Sequence, residues 1–115
     1  ELARFPVPFD IVILGMGPDG HTASLFPGAN RLRDALDMGS GRLCMAITPV
    51  TAPNERMTLT LPALLDSRQI YLHLSGEEKR DVYERALGGD SVEKMPIRAV
   101  LHQDRVPVDV YWTAE

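Results

Sequence analysis

The chain has 115 residues, 44% of them hydrophobic, which is enough for one ordinary core. No apolar run approaches the roughly 20 residues that a membrane-spanning helix needs. The net charge of −4 and the dispersed lysines and arginines argue against a broad nucleic-acid surface, but they permit a local basic pocket for an acidic small molecule. The single cysteine, Cys44, lies in an apolar run and is expected to be a small buried residue in a reducing compartment.

The first predicted element is a strand, Ile11 to Leu14, followed by a glycine-rich loop. A short, continuous apolar run is typical of a strand buried on both faces of a parallel sheet. Such strands present functional groups at their carboxyl ends. The loop holds Asp19 and His21 among glycines, whose backbone freedom allows close approach to a ligand. If a helix begins near Gly20, its free N–H groups favour an anion beside these two side chains.

The same loop permits two other interpretations. Pro and Asp-Gly are ordinary turn residues, so a purely structural corner is an alternative to a catalytic loop. Residues 15–20 also match G-x-G-x-x-G, the dinucleotide-binding pattern, which needs a long helix and an acidic residue about 20 residues later at the end of a strand. Here Pro27 ends any helix early, and Asp34 and Asp37 lie in a polar stretch. Nicotinamide or flavin binding is therefore disfavoured.

The middle of the chain predicts a surface excursion, two strands and a short helix. The excursion is the polar stretch Arg31 to Arg42, and the first strand is Leu43 to Thr48. The second strand, Arg56 to Leu61, alternates polar and apolar residues, and its alternation places one set on a common face, namely Arg56, Thr58 and Thr60. Pro62 to Ser67 has proline in the first-turn position of a short helix.

The last part of the chain alternates strands with helices. Gln69 to Leu74 reads as a strand, Glu77 to Leu87 as an amphipathic helix, Pro96 to Leu101 as a short helix and Val108 to Trp112 as the final strand. Apolar strands that alternate with helical segments are typical of βαβ units. The sequence therefore predicts an α/β fold.

Two basic residues are candidates for binding an anion. Lys79 lies in the first turn of a predicted helix, where a cation is unfavourable for the helix dipole but well placed to hold an anion. Arg56 opens a strand after a loop, where a guanidinium can bind phosphate through two hydrogen bonds. Either residue is equally compatible with ordinary surface, paired with Glu77 or Glu78 in the first case and with Glu55 in the second. No Cys/His cluster has metal-ligand spacing, and no Gly-x-Ser-x-Gly elbow is present.

Residues 15–27, Gly-Met-Gly-Pro-Asp-Gly-His-Thr-Ala-Ser-Leu-Phe-Pro, resemble the signature of the 6-phosphogluconolactonase family. The resemblance covers essentially the whole chain and continues through three further stretches, Glu55 to Thr60, Ser75 to Lys79 and Pro96 to Trp112. Glucosamine-6-phosphate deaminases are similar in this loop, but after Asp-Gly-His they continue into an Ala-Phe-Asn-Glu-Pro-like sequence. Thr22 to Pro27 therefore favours the lactonase over the deaminase.

The resemblance implies a doubly wound, mostly parallel sheet flanked by helices, as in ribose-5-phosphate isomerase and coenzyme A transferases. It implies hydrolysis of 6-phospho-D-glucono-1,5-lactone to 6-phospho-D-gluconate in the oxidative pentose phosphate pathway. His21 matches the general base, and Asp19 would orient it or contact sugar hydroxyls. Backbone N–H groups around Gly15 and Gly17 would steady the oxyanion, while two basic residues, Arg56 and Lys79, would lie near the sugar phosphate. Neither a cofactor nor a metal is expected.

The resemblance also implies that this chain is shorter than the members of the family. Family members are about twice as long, so residues 1–115 are expected to be a single α/β domain equivalent to the C-terminal half of such an enzyme. The expected partners are the phosphosugar lactone and the missing N-terminal half, with no nucleic acid and no membrane, in the cytoplasm. Alone, this half would bind weakly and turn over poorly. A deaminase-like isomerase and a sugar-phosphate-binding domain without catalysis are the alternatives.

Overall fold

The structure is a computed structural model that describes residues 8–50 and 54–114. Within these residues the chain forms two small sheets and several short helices. The elements in chain order are β1 (Val12–Leu14), α1 (Leu32–Leu36), β2 (Cys44–Ile47), β3 (Arg56–Leu59), α2 (Leu61–Leu65), β4 (Ile70–Ser75), α3 (Glu77–Gly88), α4 (Arg98–Leu101) and β5 (Val108–Thr113).

The larger sheet is parallel and has the strand order β1-β4-β5. Its register aligns Val12 with Ile70 and Ile70 with Val108. Helices α3 and α4 lie in the connection from β4 to β5, because parallel neighbours need a long crossover. The predicted α/β class is therefore confirmed, as are the strands at both ends of this crossover.

The smaller sheet pairs β2 with β3 in antiparallel fashion, from Cys44 opposite Leu59 to Ile47 opposite Arg56. Both strands are predicted by the sequence, but the predicted strand Arg56 to Leu61 ends at Leu59, because Thr60 caps α2 and Leu61 begins that helix. The mutual pairing of β2 and β3 follows from the short connection between them, which is too short for a parallel crossover. On β3, Thr58 is buried whereas Arg56 and Met57 are exposed, so the strand contributes a polar residue to the interior. Cys44 is half-buried, which makes it less enclosed than expected.

The core lies on one face of the larger sheet. Leu14, Leu72 and Leu74 point into it, and α3 adds Val82 and Ala86, four residues apart on one side of the helix. Within the described chain, no helix is long and apolar enough to cross a membrane.

The opposite face of this sheet is open in the described chain. Ile11 and Ile13 are 56% and 73% exposed, and Tyr111 on β5 is 55% exposed. The prediction that Ile11 to Leu14 is buried on both faces is therefore wrong for the outward-facing residues. The reason is that the described residues cover only one face of this sheet, so the side chains that alternate with the core-facing ones are left uncovered.

The expected surface excursion, Arg31 to Arg42, contains an ordered helix instead. Leu32 and Ala35 are buried on α1, three residues apart and hence on the same side of the helix. Because most residues around Leu32 and Ala35 are polar, the sequence pattern does not indicate a helix with a buried side here. The predicted helix Pro62 to Ser67 is confirmed as α2, whose first turn is capped by the Thr60 hydroxyl accepting from the Ala63 N–H at 3.4 Å.

Candidate active site

The glycine-rich loop directly follows β1 and closes on itself through backbone hydrogen bonds. The Gly17 N–H donates to the His21 carbonyl at 2.9 Å, and the Gly20 N–H donates to the Gly17 carbonyl at 3.0 Å. Gly20 has a φ of 84°, a left-handed conformation that favours glycine. Gly20 therefore lies in a turn and does not begin a helix, which is one possibility raised by the sequence. The Gly17 N–H already has its hydrogen-bond partner within the loop.

Asp19 and His21 form a hydrogen-bonded pair at the tip of this loop. Nδ1 of His21 lies 2.6 Å from Oδ1 of Asp19, and the same oxygen accepts from the His21 backbone N–H at 3.1 Å. Because a carboxylate only accepts, the proton belongs on Nδ1, and Nε2 is the basic nitrogen. The side chain of His21 is 28% exposed, so solvent and ligands reach it.

The carboxyl of Asp19 is held in its charged form. Partial burial acts to raise its pKa, but the hydrogen bonds from the His21 ring and backbone, together with the attraction of the imidazole, outweigh burial and place the pKa below its ordinary value. An ionised Asp19 is the state that fixes the His21 tautomer and stabilises positive charge on the ring. The pair thus has the arrangement of a base and its orienting carboxylate.

Hydrogen bonds from Thr22 and from the segment before α4 support the loop. The hydroxyl of the fully buried Thr22 donates to the Gly15 carbonyl at 2.7 Å, and the Ile97 N–H, just before α4, donates to the Gly20 carbonyl at 2.9 Å. A Cβ on Gly20 would lie 2.9 Å from Cβ of Met95. A side chain at Gly20 would therefore both strain the turn and collide with the segment that supports it.

Gly17 is constrained from the other side. A Cβ at this position would lie 2.1 Å from Cε1 and 2.2 Å from Nδ1 of His21, and 3.0 Å from Oδ1 of Asp19. The Asp19 hydrogen bond holds Nδ1 in this position, which leaves no room for a side chain at residue 17. The glycine pattern, in this loop, makes room for the imidazole as well as for the turn.

An open cleft of about 550 Å³ lies in front of the loop. Its lining consists of the loop and one residue of α3, namely Gly15, Met16, Gly17, Pro18, His21, Ala23 and Lys79. The ammonium of Lys79 donates to the Met16 carbonyl. Lys79 and His21, 58 positions apart in numbering and predicted separately, are thus brought to one cleft because the carboxyl ends of β1 and β4 are adjacent.

Arg56 lies outside this lining, exposed at the start of β3. Its guanidinium carbon is 5.5 Å from the centre of the Phe26 ring, and that ring lies 4.4 Å from the ring of His21. Phe26 is a residue that the sequence interpretation missed as part of the site. The available signal was only an aromatic residue five positions after His21, before a Pro-Gly pair.

A second cleft of about 640 Å³ lies on the other side of Asp19 and Phe26. Its remaining lining comes from three segments, and comprises Pro27, Gly28, Val50, Ser91, Glu93 and Lys94. Within residues 8–50 and 54–114 no group of three or more His, Cys, Asp or Glu is placed to hold a metal ion.

Comparisons with known proteins identify the family of this chain. The family model described as glucosamine-6-phosphate isomerases/6-phosphogluconolactonase matches residues 1–112. A 6-phosphogluconolactonase from Mesorhizobium japonicum is 44% identical over 111 residues, which is 96% of this chain and 46% of that protein. A 6-phosphogluconolactonase from Rhizobium meliloti is 40% identical over 110 residues, covering 96% and 47% of the two chains.

Among solved structures, a crystal structure of a 6-phosphogluconolactonase from Shewanella baltica superposes with a TM-score of 0.92 at 57% identity, over 96% of this chain and 47% of that one. The chain spans about half the length of the relatives it matches. The residues that the family model matches include the glycine-rich loop and all residues that line the cleft in front of it. The chain therefore belongs to the glucosamine-6-phosphate isomerase/6-phosphogluconolactonase family.

Proposed function

We propose that the full-length protein hydrolyses 6-phospho-D-glucono-1,5-lactone to 6-phospho-D-gluconate, the lactonase step of the oxidative pentose phosphate pathway. The observation that carries this proposal is the Asp19–His21 pair, with its 2.6 Å hydrogen bond, in a cleft that also contains the cation of Lys79. The names of the similar proteins support the choice of substrate. The Thr22 to Pro27 sequence favours lactone hydrolysis over deamination.

The chemistry requires a base, a water molecule and charge stabilisation. His21 Nε2 accepts a proton from water as the water oxygen attacks the lactone carbonyl carbon, which generates a tetrahedral oxyanion. Asp19 keeps the imidazole in the required tautomer and stabilises the imidazolium that forms. The carbon–oxygen bond of the ring then breaks, and the departing ring oxygen takes the proton back from His21. Atoms and charge balance without a metal or an organic cofactor.

Binding of the substrate phosphate is assigned to Lys79 and Arg56. Lys79 lines the cleft, and its position at the start of α3 places a cation where helix N–H groups also favour an anion. Arg56 approaches the same region by way of Phe26 and can bind phosphate through two hydrogen bonds. Backbone N–H groups of the loop near Gly15 are proposed to face the developing oxyanion, since the Gly17 N–H already donates to His21.

In this proposal residues 1–115 act as the C-terminal α/β half of the enzyme, and an N-terminal half supplies the rest of the sheet and the other wall of the site. The exposure of Ile11, just before β1, and of Ile13 on β1 supports such a covering. The lone Cys44 supports a reducing location, and the cytoplasm is the proposed compartment. Residues 1–115 alone are expected to bind substrate weakly and to turn over poorly.

The test is a rate measurement with two substrates. Full-length protein is mixed with freshly generated 6-phosphoglucono-1,5-lactone, and acid release is followed above the spontaneous rate; in parallel, ammonia release from glucosamine 6-phosphate is measured. The proposal expects fast lactone hydrolysis and no ammonia. Ammonia release without lactone hydrolysis would establish the deaminase-like alternative, and binding of 6-phosphogluconate without either reaction would establish a binding-only domain.

A further inference from the structure

Phe26 contacts two groups that have different tasks in the proposed reaction. Its ring centre lies 4.4 Å from that of His21, with the two planes inclined by 32°. The guanidinium carbon of Arg56 lies over the Phe26 ring at 5.5 Å from its centre. Phe26 itself is half-buried and packs against the hydrophobic core. A ring supported by the core therefore joins the proposed base to the proposed phosphate ligand.

These two contacts restrict side chains that are otherwise free to move. Arg56 is exposed on β3, and a long exposed side chain samples many rotamers. A cation over an aromatic face is attracted by the negative potential of that face, which limits the guanidinium to the region above the ring. The tilted contact with His21 supports the imidazole beside its Asp19 hydrogen bond. Loss of the aromatic ring would therefore loosen both ends of the site together.

We propose that Phe26 is a positioning residue that fixes the spacing between the His21 base and the Arg56 guanidinium, and thereby makes the site selective for lactones that carry a phosphate far from the carbonyl. This inference rests on the proposed function and deepens it. In 6-phosphoglucono-1,5-lactone the carbonyl is at C1 and the phosphate at C6, so the two groups need partners at two separate points of the site. When the spacing between His21 and Arg56 is fixed, a substrate that contacts both binds more favourably, because neither side chain loses further conformational freedom on binding.

The kinetic test compares Phe26→Leu and Phe26→Tyr in the full-length protein, on 6-phosphoglucono-1,5-lactone and on unphosphorylated glucono-1,5-lactone. Phe26→Leu is expected to lower kcat on both substrates by about fivefold, because the imidazole loses its aromatic neighbour. It also lowers the ratio of kcat/KM for the phosphorylated over the unphosphorylated lactone by about fivefold, because Arg56 loses its cation–π contact. Phe26→Tyr keeps the ring and is expected to stay within about twofold of the wild type in both quantities.

Two comparisons separate positioning from a general structural role. Tyr83→Leu removes another half-buried ring, one that lines a cleft with Arg80 and Trp112, and is expected to leave the substrate ratio unchanged. In the Arg56→Gln background, Phe26→Leu is expected to have no further effect on the ratio, because the coupled partner is already gone. An unchanged ratio in Phe26→Leu, or additive effects of the two substitutions, would overturn the proposal.

The contact between Phe26 and His21 can also be tested without an activity assay. In the NMR spectrum of the full-length protein, the carbon-bound ring protons of His21 are expected to move when Phe26 is replaced by Leu, and to stay near their original positions in Phe26→Tyr. If Phe26→Leu does not fold, Phe26→Met serves in both measurements. If wild-type protein does not hydrolyse the lactone, the proposed function fails, whereas unmoved His21 resonances contradict the Phe26 contact itself.

Discussion

The His21 loop and the strand that carries Arg56 are held in different ways. The loop is closed by its own backbone hydrogen bonds, and Thr22 and Ile97 hold it from behind. Arg56, by contrast, is exposed at the beginning of β3 and is positioned through the face of Phe26. The proposed reacting end therefore lies on a loop with several backbone and side-chain anchors, whereas the Arg56 end of the proposed site has one long side chain over an aromatic ring. Substitutions should therefore damage kcat at the first end and KM at the second.

Gly17→Ala is expected to disrupt the His21 loop more than any other single substitution considered. The added methyl would lie 2.1 Å from Cε1 of His21, so the imidazole must leave its contact with Asp19. A displaced general base is expected to lower kcat by about 100-fold. The matched control is Gly88→Ala, since a Cβ at that last position of α3 meets nothing within 4 Å. Steady-state kinetics of both full-length variants checks this, and near-normal kcat in Gly17→Ala would show that the loop is adjustable after all.

Arg98 contributes to the stability of the elements that support the His21 loop. This buried guanidinium on α4 donates to the carbonyls of Arg85 and Ala86 at 3.0 Å and of Ser91 at 3.1 Å, and so ties the end of α3 to the element behind the loop. Arg98→Met leaves these carbonyls without the donors and is expected to lower the free energy of unfolding by about 2 kcal/mol. Denaturant unfolding of the full-length protein measures it, with the exposed Arg105→Met as control. Equal stability of the two variants would contradict the assigned role of Arg98.

Asp19→Asn tests the reacting end with a smaller change. The amide keeps the size of the carboxyl but loses the charge that orients His21 and stabilises its protonated form. The expected result is a fall in kcat of about 30-fold with little change in KM. Asp19→Glu, which restores the charge at a different distance, is the companion variant. A rise in KM with normal kcat would instead assign Asp19 to the sugar hydroxyls.

Arg56→Gln tests the Arg56 end and has the smallest expected effect. Removing an exposed guanidinium that is proposed to contact the phosphate should raise KM for the phosphorylated lactone by about 10-fold and leave kcat nearly unchanged. Met57→Gln, at the adjacent exposed position of β3, is the control for general disturbance of the strand. If kcat falls and KM does not, Arg56 acts on the reacting end, and the division between the two ends is incorrect.

Much of the fold follows from local sequence signals. The strands β4 and β5, the helix α3 and the Pro-initiated α2 are predicted within a few residues, because apolar runs, helical periodicity and turn residues agree there. Helix α1 is missed because its buried pair, Leu32 and Ala35, stands among charged residues. The outward exposure of Ile13 is also missed, since an apolar run cannot reveal whether a second layer covers the strand.

The site is predictable to a different extent. The sequence predicts that Asp19 and His21 share one loop after a strand, and the resemblance leaves open whether Asp19 orients His21 or contacts sugar hydroxyls. Lys79 reaches the same cleft because parallel strands bring their carboxyl ends together. The role of Gly17 as the space under the imidazole and the contact of Phe26 with Arg56 depend on distances between elements remote in the sequence. Residue spacing carries no information on such contacts.

His21 is proposed to be the base of a reacting centre that this chain supplies. The most direct measurement is the turnover of freshly generated 6-phosphoglucono-1,5-lactone by full-length wild type and by His21→Ala, each corrected for spontaneous hydrolysis. The substitution is expected to lower kcat at least about 100-fold while 6-phosphogluconate still binds. Turnover by His21→Ala near the wild-type value would contradict it.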